Sequence, residues 1–182
     1  MTTDRKFAAF TRNGREGLGI SEIPADGFCI SVFLVIRQRD RPRSILMGRI
    51  NADANWDHIG ALTQDRIEAH RKGWMLPSCH ILYGESPNDA ARRVAGEQLG
   101  LDNELNLAEP KVYSEVYAPK RHPQAKEHWD LQFMYEGELG VEELQRRKKM
   151  PNAWLTLRFV DVDTLEKTEF ARSHEDIIAR ID

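Results

Sequence analysis

The most constraining stretch of the chain is a loop followed by a helix with both of its ends marked. Ser86 stands at the N-cap position, Pro87 fits the first helical position, and Asp89 lies where a capping-box acid sits. The helix is expected over Pro87 to Leu99, and Gly100 supplies the left-handed residue that closes it. Ahead of it, Trp74 to Tyr83 reads as extended and is broken by Pro77. The other strong signal is the run Phe28 to Ile36, interrupted only by Ser31. It is β-branched and aromatic with almost no alternation, which predicts a strand covered on both faces. The run is too short to cross a bilayer, which takes roughly 20 residues.

Weaker signals complete the outline. Arg37 to Arg43 is polar, contains Pro42, and predicts a hairpin loop leading into a strand over Ser44 to Arg49. Asn51 to Gly73 is a long connection with a short helix expected over Gln64 to Lys72, capped by Thr63 and ended by a left-handed Gly73. Further strands are expected at Lys111–Tyr117, Asp130–Glu136 and Leu155–Val160. A last helix, from about His174 to Ile181, starts at Ser173 and puts Ile177, Ile178 and Ile181 on one face. The pattern is that of a mixed sheet with helices packed on it, an α+β or α/β sandwich. Residues 1–26 read as an extension with a hairpin of their own, and residues 27–182 as one domain. Inserts are expected near 51–73 and 137–152, the second a mobile one.

The chain has 182 residues, 41% apolar and 30% charged, enough for one buried core and too apolar for wholesale disorder. With 26 Lys+Arg against 29 Asp+Glu, its net charge of -3 argues against a dedicated nucleic-acid binder. The first residues carry no long apolar segment of a secretory signal, and Cys29 and Cys79 do not make a disulfide framework, so a reducing cytoplasm is the expected compartment.

The segment from Trp74 to Leu101 resembles the Nudix box. That signature is Gly, five residues, Glu, seven residues, Arg-Glu-aliphatic, one residue, Glu-Glu, one residue, Gly-aliphatic. Placed without gaps, this chain keeps Glu85, Arg93, Glu97, Gly100 and Leu101. Cys79 replaces the first Gly, Val94 the Glu after Arg, Ala95 the aliphatic residue and Gln98 the second Glu of the pair. Leu76-Pro77, Gly84-Glu85-Ser86-Pro87 and Ala90-Ala91 add to the likeness, which extends over roughly residues 27 to 181. The resemblance implies a Nudix-like α/β/α sandwich with a mixed sheet, and hydrolysis of a nucleoside diphosphate linked to another moiety.

On a helix, positions 94, 97 and 98 share one face. In active Nudix hydrolases that face carries three glutamates that hold Mg²⁺ or Mn²⁺ against a diphosphate. Here it reads Val94, Glu97 and Gln98, one negative charge in place of three. The resemblance therefore makes Glu97 the metal ligand and places Glu85 and Arg93 with it in the catalytic box. Arg49, Trp74 and Gln98 are candidates for holding a small phosphorylated or nucleotide-like ligand. Mg²⁺ or Mn²⁺ would be held weakly, so hydrolysis is expected to be divergent and weak, or lost with binding retained. Substitute carboxylates would come from Glu115, Asp130 or Glu136. A homodimer is a further expectation from the resemblance.

The residues also admit plainer readings. Arg93 and Glu97 fit a surface helix pair, and Glu85 an acid set against a helix N-terminus. Cys79 fits a small buried hydrophobe. Within the same fold, type 1 isopentenyl diphosphate isomerases place a metal His five residues before the box Glu, as His80 stands before Glu85. Their catalytic Cys position holds Ser78 here, Cys79 is one residue off, and there is no His before His58. Arg37, Arg39, Arg41 and Arg43 fit a grip on phosphate or RNA or a solvated turn, and Arg146–Lys149 a solvated helix end. Trp56, His58 and Trp74 lie where aromatics either stack a flat ring or anchor the connection. His122, His128 and His174 lack ligand spacing to a cysteine pair, which argues against zinc.

Overall fold

A computed structural model describes residues 9–10, 18–19, 28–60, 62–101, 105–117, 128–147, 151–172 and 174–181. Ser173, His122, Lys148, Lys149, the His58 side chain and most of residues 1–26 lie outside the described residues. In chain order the elements are β1 (Ala9–Phe10), β2 (Leu18–Gly19), β3 (Phe28–Gln38), β4 (Arg41–Ile50), α1 (Trp56–Gly60), α2 (Gln64–His70) and β5 (Ser78–His80). They continue with α3 (Pro87–Arg93), a π-helical turn (Val94–Leu99), β6 (Lys111–Tyr117), β7 (His128–Leu139), α4 (Val141–Arg146), β8 (Trp154–Asp161) and α5 (His174–Ile178). The chain divides into two compact units, residues 1–30 with 113–131 and residues 31–112 with 132–182.

The apolar run becomes the centre of the larger unit. Val32 to Ile36 are all buried, and Val32, Leu34 and Ile36 point to one side of the sheet. Strand order is β6-β7-β3-β4-β8, with β5 paired to β3 in antiparallel register Val32↔Cys79. The β4–β8 pair is antiparallel, and a parallel bridge joins Trp74 to Phe170, so the fold is an α+β sandwich on a mixed sheet. The β3–β4 connection is tighter than expected. Both strands extend into the polar segment and only Arg39 and Asp40 turn, with a register shift at Arg37/Gln38. Pro42 is tolerated because it stands near the start of β4, where a missing N–H costs little.

Two apolar clusters lie among the described residues of this unit. Ala90, Ala91, Val94, Ala95 and Leu99 pack with Val32, Leu34, Ile36 and Leu46. Trp56, Leu62 and Ile67 pack with Ile50, Met75, Ala153 and Trp154. Residues 51–73 are thereby anchored to the core: the Trp56 and Trp154 rings meet edge-on at 5.0 Å, and Trp56 Nε1 donates to Asn51 O at 3.0 Å. Thr63 begins α2, but its side chain makes no capping hydrogen bond.

Gly73 is not left-handed as expected, because the helix ends earlier, at His70. Glycine is needed there for closeness: a Cβ would stand 2.8 Å from Ala171 N and 2.9 Å from Phe170 C. The stretch 137–152 begins with the last residues of β7 and continues as α4. Leu144 is buried in the first cluster, and Glu143 accepts from Gly140 N at 2.5 Å. Among the described residues, no helix is long and apolar enough to cross a membrane.

The smaller unit contains the β1–β2 pair, in register Ala9↔Gly19, and the segments of β3, β6 and β7 that fall within its bounds. There the Phe28 and Trp129 rings stand 4.9 Å apart, and Trp129 Nε1 donates to Ser114 Oγ at 2.9 Å.

Candidate functional site

The loop before α3 is locked by one ion pair. Gly84, at φ +81°, turns the chain so that Glu85 faces back toward the helix. Arg93 then donates through Nε to Glu85 Oε1 at 2.7 Å and through Nη2 to Oε2 at 2.9 Å, a two-point pair with both side chains under 15% exposed. The same Nη2 reaches His80 O at 3.1 Å, and Leu82 N donates to Glu85 at 2.9 Å. The hydrogen bond from Arg93 holds the Glu85 carboxyl below the usual carboxylate range. The Cys79 thiol, buried beside this pair, is pushed up to about 11 chiefly by burial, so it stays protonated at neutral pH. At α3, Ser86 Oγ accepts from Asp89 N at 3.1 Å, and Gly100 closes the following turn at φ +70°.

The three residues of the expected common face, 94, 97 and 98, meet different surroundings. From Val94 to Leu99 the winding is π-helical, wider than an α-helix. Val94 is buried in the first cluster, Glu97 is exposed, and Gln98 is buried in polar contacts. The Gln98 amide binds both backbone groups of Ser78, accepting from its N at 3.2 Å and donating to its O at 2.8 Å. It also donates to Ile59 O at 3.2 Å. Trp154 Nε1 fixes the backbone of the same residue through Gln98 O at 2.9 Å. A side-chain amide thus serves as a strand neighbour for the three-residue β5.

The remaining candidates are placed as follows. The Arg49 and Arg158 guanidiniums stand 4.6 and 5.0 Å from the Trp74 ring, which is buried beneath them. Arg49 and Trp74 are therefore together, but the ring is covered. Arg37 donates to Pro42 O and Ile181 O, Arg39 pairs with Glu143, and Arg43 with Asp163, so these arginines tie the hairpin to other elements. Glu136 is held by Lys111 at 2.5 Å and Arg37 at 3.5 Å. Glu115 and Asp130 belong to the smaller unit. A groove of about 640 Å³ is lined by Arg41, Arg147 and Arg158 with Leu144, Leu157 and Phe159 on its apolar side. Arg49, Arg71 and Lys72 line a second, of about 490 Å³.

The NUDIX domain family model matches residues 30–181. The chain belongs to the Nudix family. Its fold is similar to that of a MutT protein from Methanosarcina mazei Go1, with TM-score 0.54, 14% identity, and coverage of 87% of this chain and 96% of that one. It is also similar to a MutT NUDIX hydrolase from Burkholderia pseudomallei, with TM-score 0.53, 13% identity and coverage of 85% and 98%. A bifunctional NMN adenylyltransferase/ADP ribose pyrophosphatase from Francisella tularensis gives TM-score 0.51 at 13% identity, covering 87% of this chain and 41% of that one. No curated protein is matched by sequence.

Within this Nudix chain, sequence reasoning missed several working residues. His174 is fully buried and accepts from Leu76 N through Nδ1 at 2.9 Å, and burial lowers its pKa well below the usual value. No local signal marks this role, since the two residues are 98 positions apart. Cys29, His128 and Asp130 converge in the smaller unit. The spacing His128-x-Asp130, two residues on one face of a strand, was the available clue.

Proposed function

We propose that this Nudix protein binds a small nucleotide-like diphosphate and hydrolyses it weakly, its box helix offering one carboxylate where a metal-dependent hydrolase needs several. The observation that carries this reading is the Gln98 amide, which donates to the Ser78 and Ile59 carbonyls. A cation beside those carbonyls would need that donor gone and an anion in its place. Val94 lies in the core and brings no ligand, and among the described residues no group of three potential metal ligands includes Glu97. The donor set therefore does not fit the divalent metals that Nudix hydrolases generally use.

Ligand binding is supported by the cation-lined grooves. The larger is lined by Arg41 and Arg147 and by no acid, beside an apolar wall that includes Phe159, a combination suited to a diphosphate carrying a flat ring. A protein of similar fold, the bifunctional NMN adenylyltransferase/ADP ribose pyrophosphatase from Francisella tularensis, is named for a diphosphate of that kind. The isomerase alternative gains nothing from the geometry, since Cys79 is buried and protonated.

The test is a panel of nucleoside diphosphate derivatives, read by thermal shift and by product release with Mg²⁺ or Mn²⁺. At least one compound is expected to raise Tm by RT ln(1 + [L]/Kd) in free energy. Arg41→Glu should abolish the shift and Glu97→Ala should preserve it. Rapid metal-dependent release of phosphate products, abolished by Glu97→Ala, would overturn the reading.

A further inference from the structure

The smaller unit contains a site that the nucleotide reading does not use and that does not depend on it. His128 and Asp130 are two apart on β7, so alternation turns both to one face. Cys29 on β3 meets them there: His128 Nε2 stands 3.3 Å from Cys29 Sγ and 3.4 Å from Asp130 Oδ1. Cys29 Sγ is also in hydrogen-bond contact with Asp130 Oδ1. The His128 and Asp130 side chains are only 15% and 14% exposed, so a thiol, an imidazole and a carboxyl are drawn together away from most of the solvent.

Two chemistries use these residue types. In a nucleophilic triad the imidazole takes the thiol on one nitrogen and the carboxylate on the other. Here both partners face the same nitrogen, Nε2, so the carboxylate is not placed to orient the ring from behind. Three donors aimed at one point are the arrangement of a metal site. With Zn–S about 2.3 Å and Zn–N or Zn–O about 2.0–2.2 Å at tetrahedral angles, neighbouring ligand atoms stand about 3.4–3.6 Å apart. The two His128 distances, 3.3 and 3.4 Å, are close to those edges, and the Cys29–Asp130 edge is shorter, so an ion entering the cluster would part that thiol–carboxyl contact.

We propose that Cys29, His128 and Asp130 bind a zinc ion. A thiolate and an imidazole select a borderline-soft ion over Mg²⁺, Ca²⁺ or Mn²⁺. Binding releases the thiol proton to solvent, and thiolate and carboxylate together balance the two positive charges of Zn²⁺. Three protein donors leave one tetrahedral position for water or another group. The expectation against zinc rested on the absence of a cysteine pair close in sequence. The fold removes that objection, because it joins residues 99 and 101 positions apart.

The test uses the full chain. Zinc is measured after dialysis without chelator, and Co²⁺ is titrated into metal-free protein to read thiolate-to-cobalt charge-transfer absorption. About one zinc per chain is expected, together with a cobalt–thiolate band that disappears in Cys29→Ser and His128→Gln and persists in Cys79→Ala. Substoichiometric zinc with no cobalt–thiolate band overturns the proposal, as does a band that survives Cys29→Ser. If those variants fail to fold, modification of wild-type Cys29 by a thiol reagent decides. A rate at least tenfold slower with Zn²⁺ supports the site, and an unchanged rate overturns it.

Discussion

Gln98 shows how much one atom can decide. Its Nε2 donates to two carbonyls, Ser78 O and Ile59 O, in a fully buried setting. In Gln98→Glu the donor becomes an oxygen, and each buried carbonyl left without a partner costs about 1–3 kcal/mol. The variant is therefore expected to melt several degrees below wild type in chelator. Mn²⁺ should recover part of the loss, because a cation can then sit between the carboxylate and the carbonyls. Thermal melts with and without Mn²⁺ check both halves, and wild type should respond little. Glu85 and Arg93 act differently, as a buried two-point pair that holds the loop over the helix.

At the scale of elements, glycines separate conformation from space. Gly84 has φ +81° and nothing within 4 Å of a would-be Cβ, whereas Gly73 is pressed against the backbone of Phe170 and Ala171. Gly84→Asn should thus be tolerated, since Asn accepts a left-handed backbone. Gly73→Asn should cost about 1–3 kcal/mol or more, because the backbone itself must shift. Urea denaturation of both variants measures the contrast. The local signals of the sequence were strong where an element carries its own punctuation. Ser86, Pro87, Asp89 and Gly100 mark their helix without help from the rest of the fold. The π-helical turn inside it was not legible, because its register follows from which of Val94, Ala95 and Leu99 the core accepts. Gly73 was misread for the same reason: a residue pressed by a segment about a hundred positions away looks in sequence like a helix end.

For the whole molecule, His174 sets a pH limit on stability. In the folded chain it is neutral, with Nδ1 accepting from Leu76 N. Above the ordinary histidine pKa of 6.5 neither folded nor unfolded form gains a proton there, and stability is unaffected by this group. Below it, the unfolded chain takes up a proton that the folded chain refuses, so stability falls by up to about 1.4 kcal/mol per pH unit. His174→Asn should flatten the decline between pH 6.5 and 5 in denaturant melts, with lower stability than wild type at pH 8. The same distance problem hid the Cys29–His128–Asp130 cluster: the residue types were visible, but the strand pairing that joins them was not.

The family membership and the fold are plain at this scale, and the proposed departure from a metal-dependent Nudix hydrolase rests on one turn of helix. The most direct measurement is calorimetric titration of Mn²⁺ into wild type and into Gln98→Glu. Wild type is expected to show no saturable binding that depends on Glu97 below the millimolar range, and Gln98→Glu is expected to bind at least tenfold more tightly. Micromolar binding by wild type that vanishes in Glu97→Ala would contradict the account.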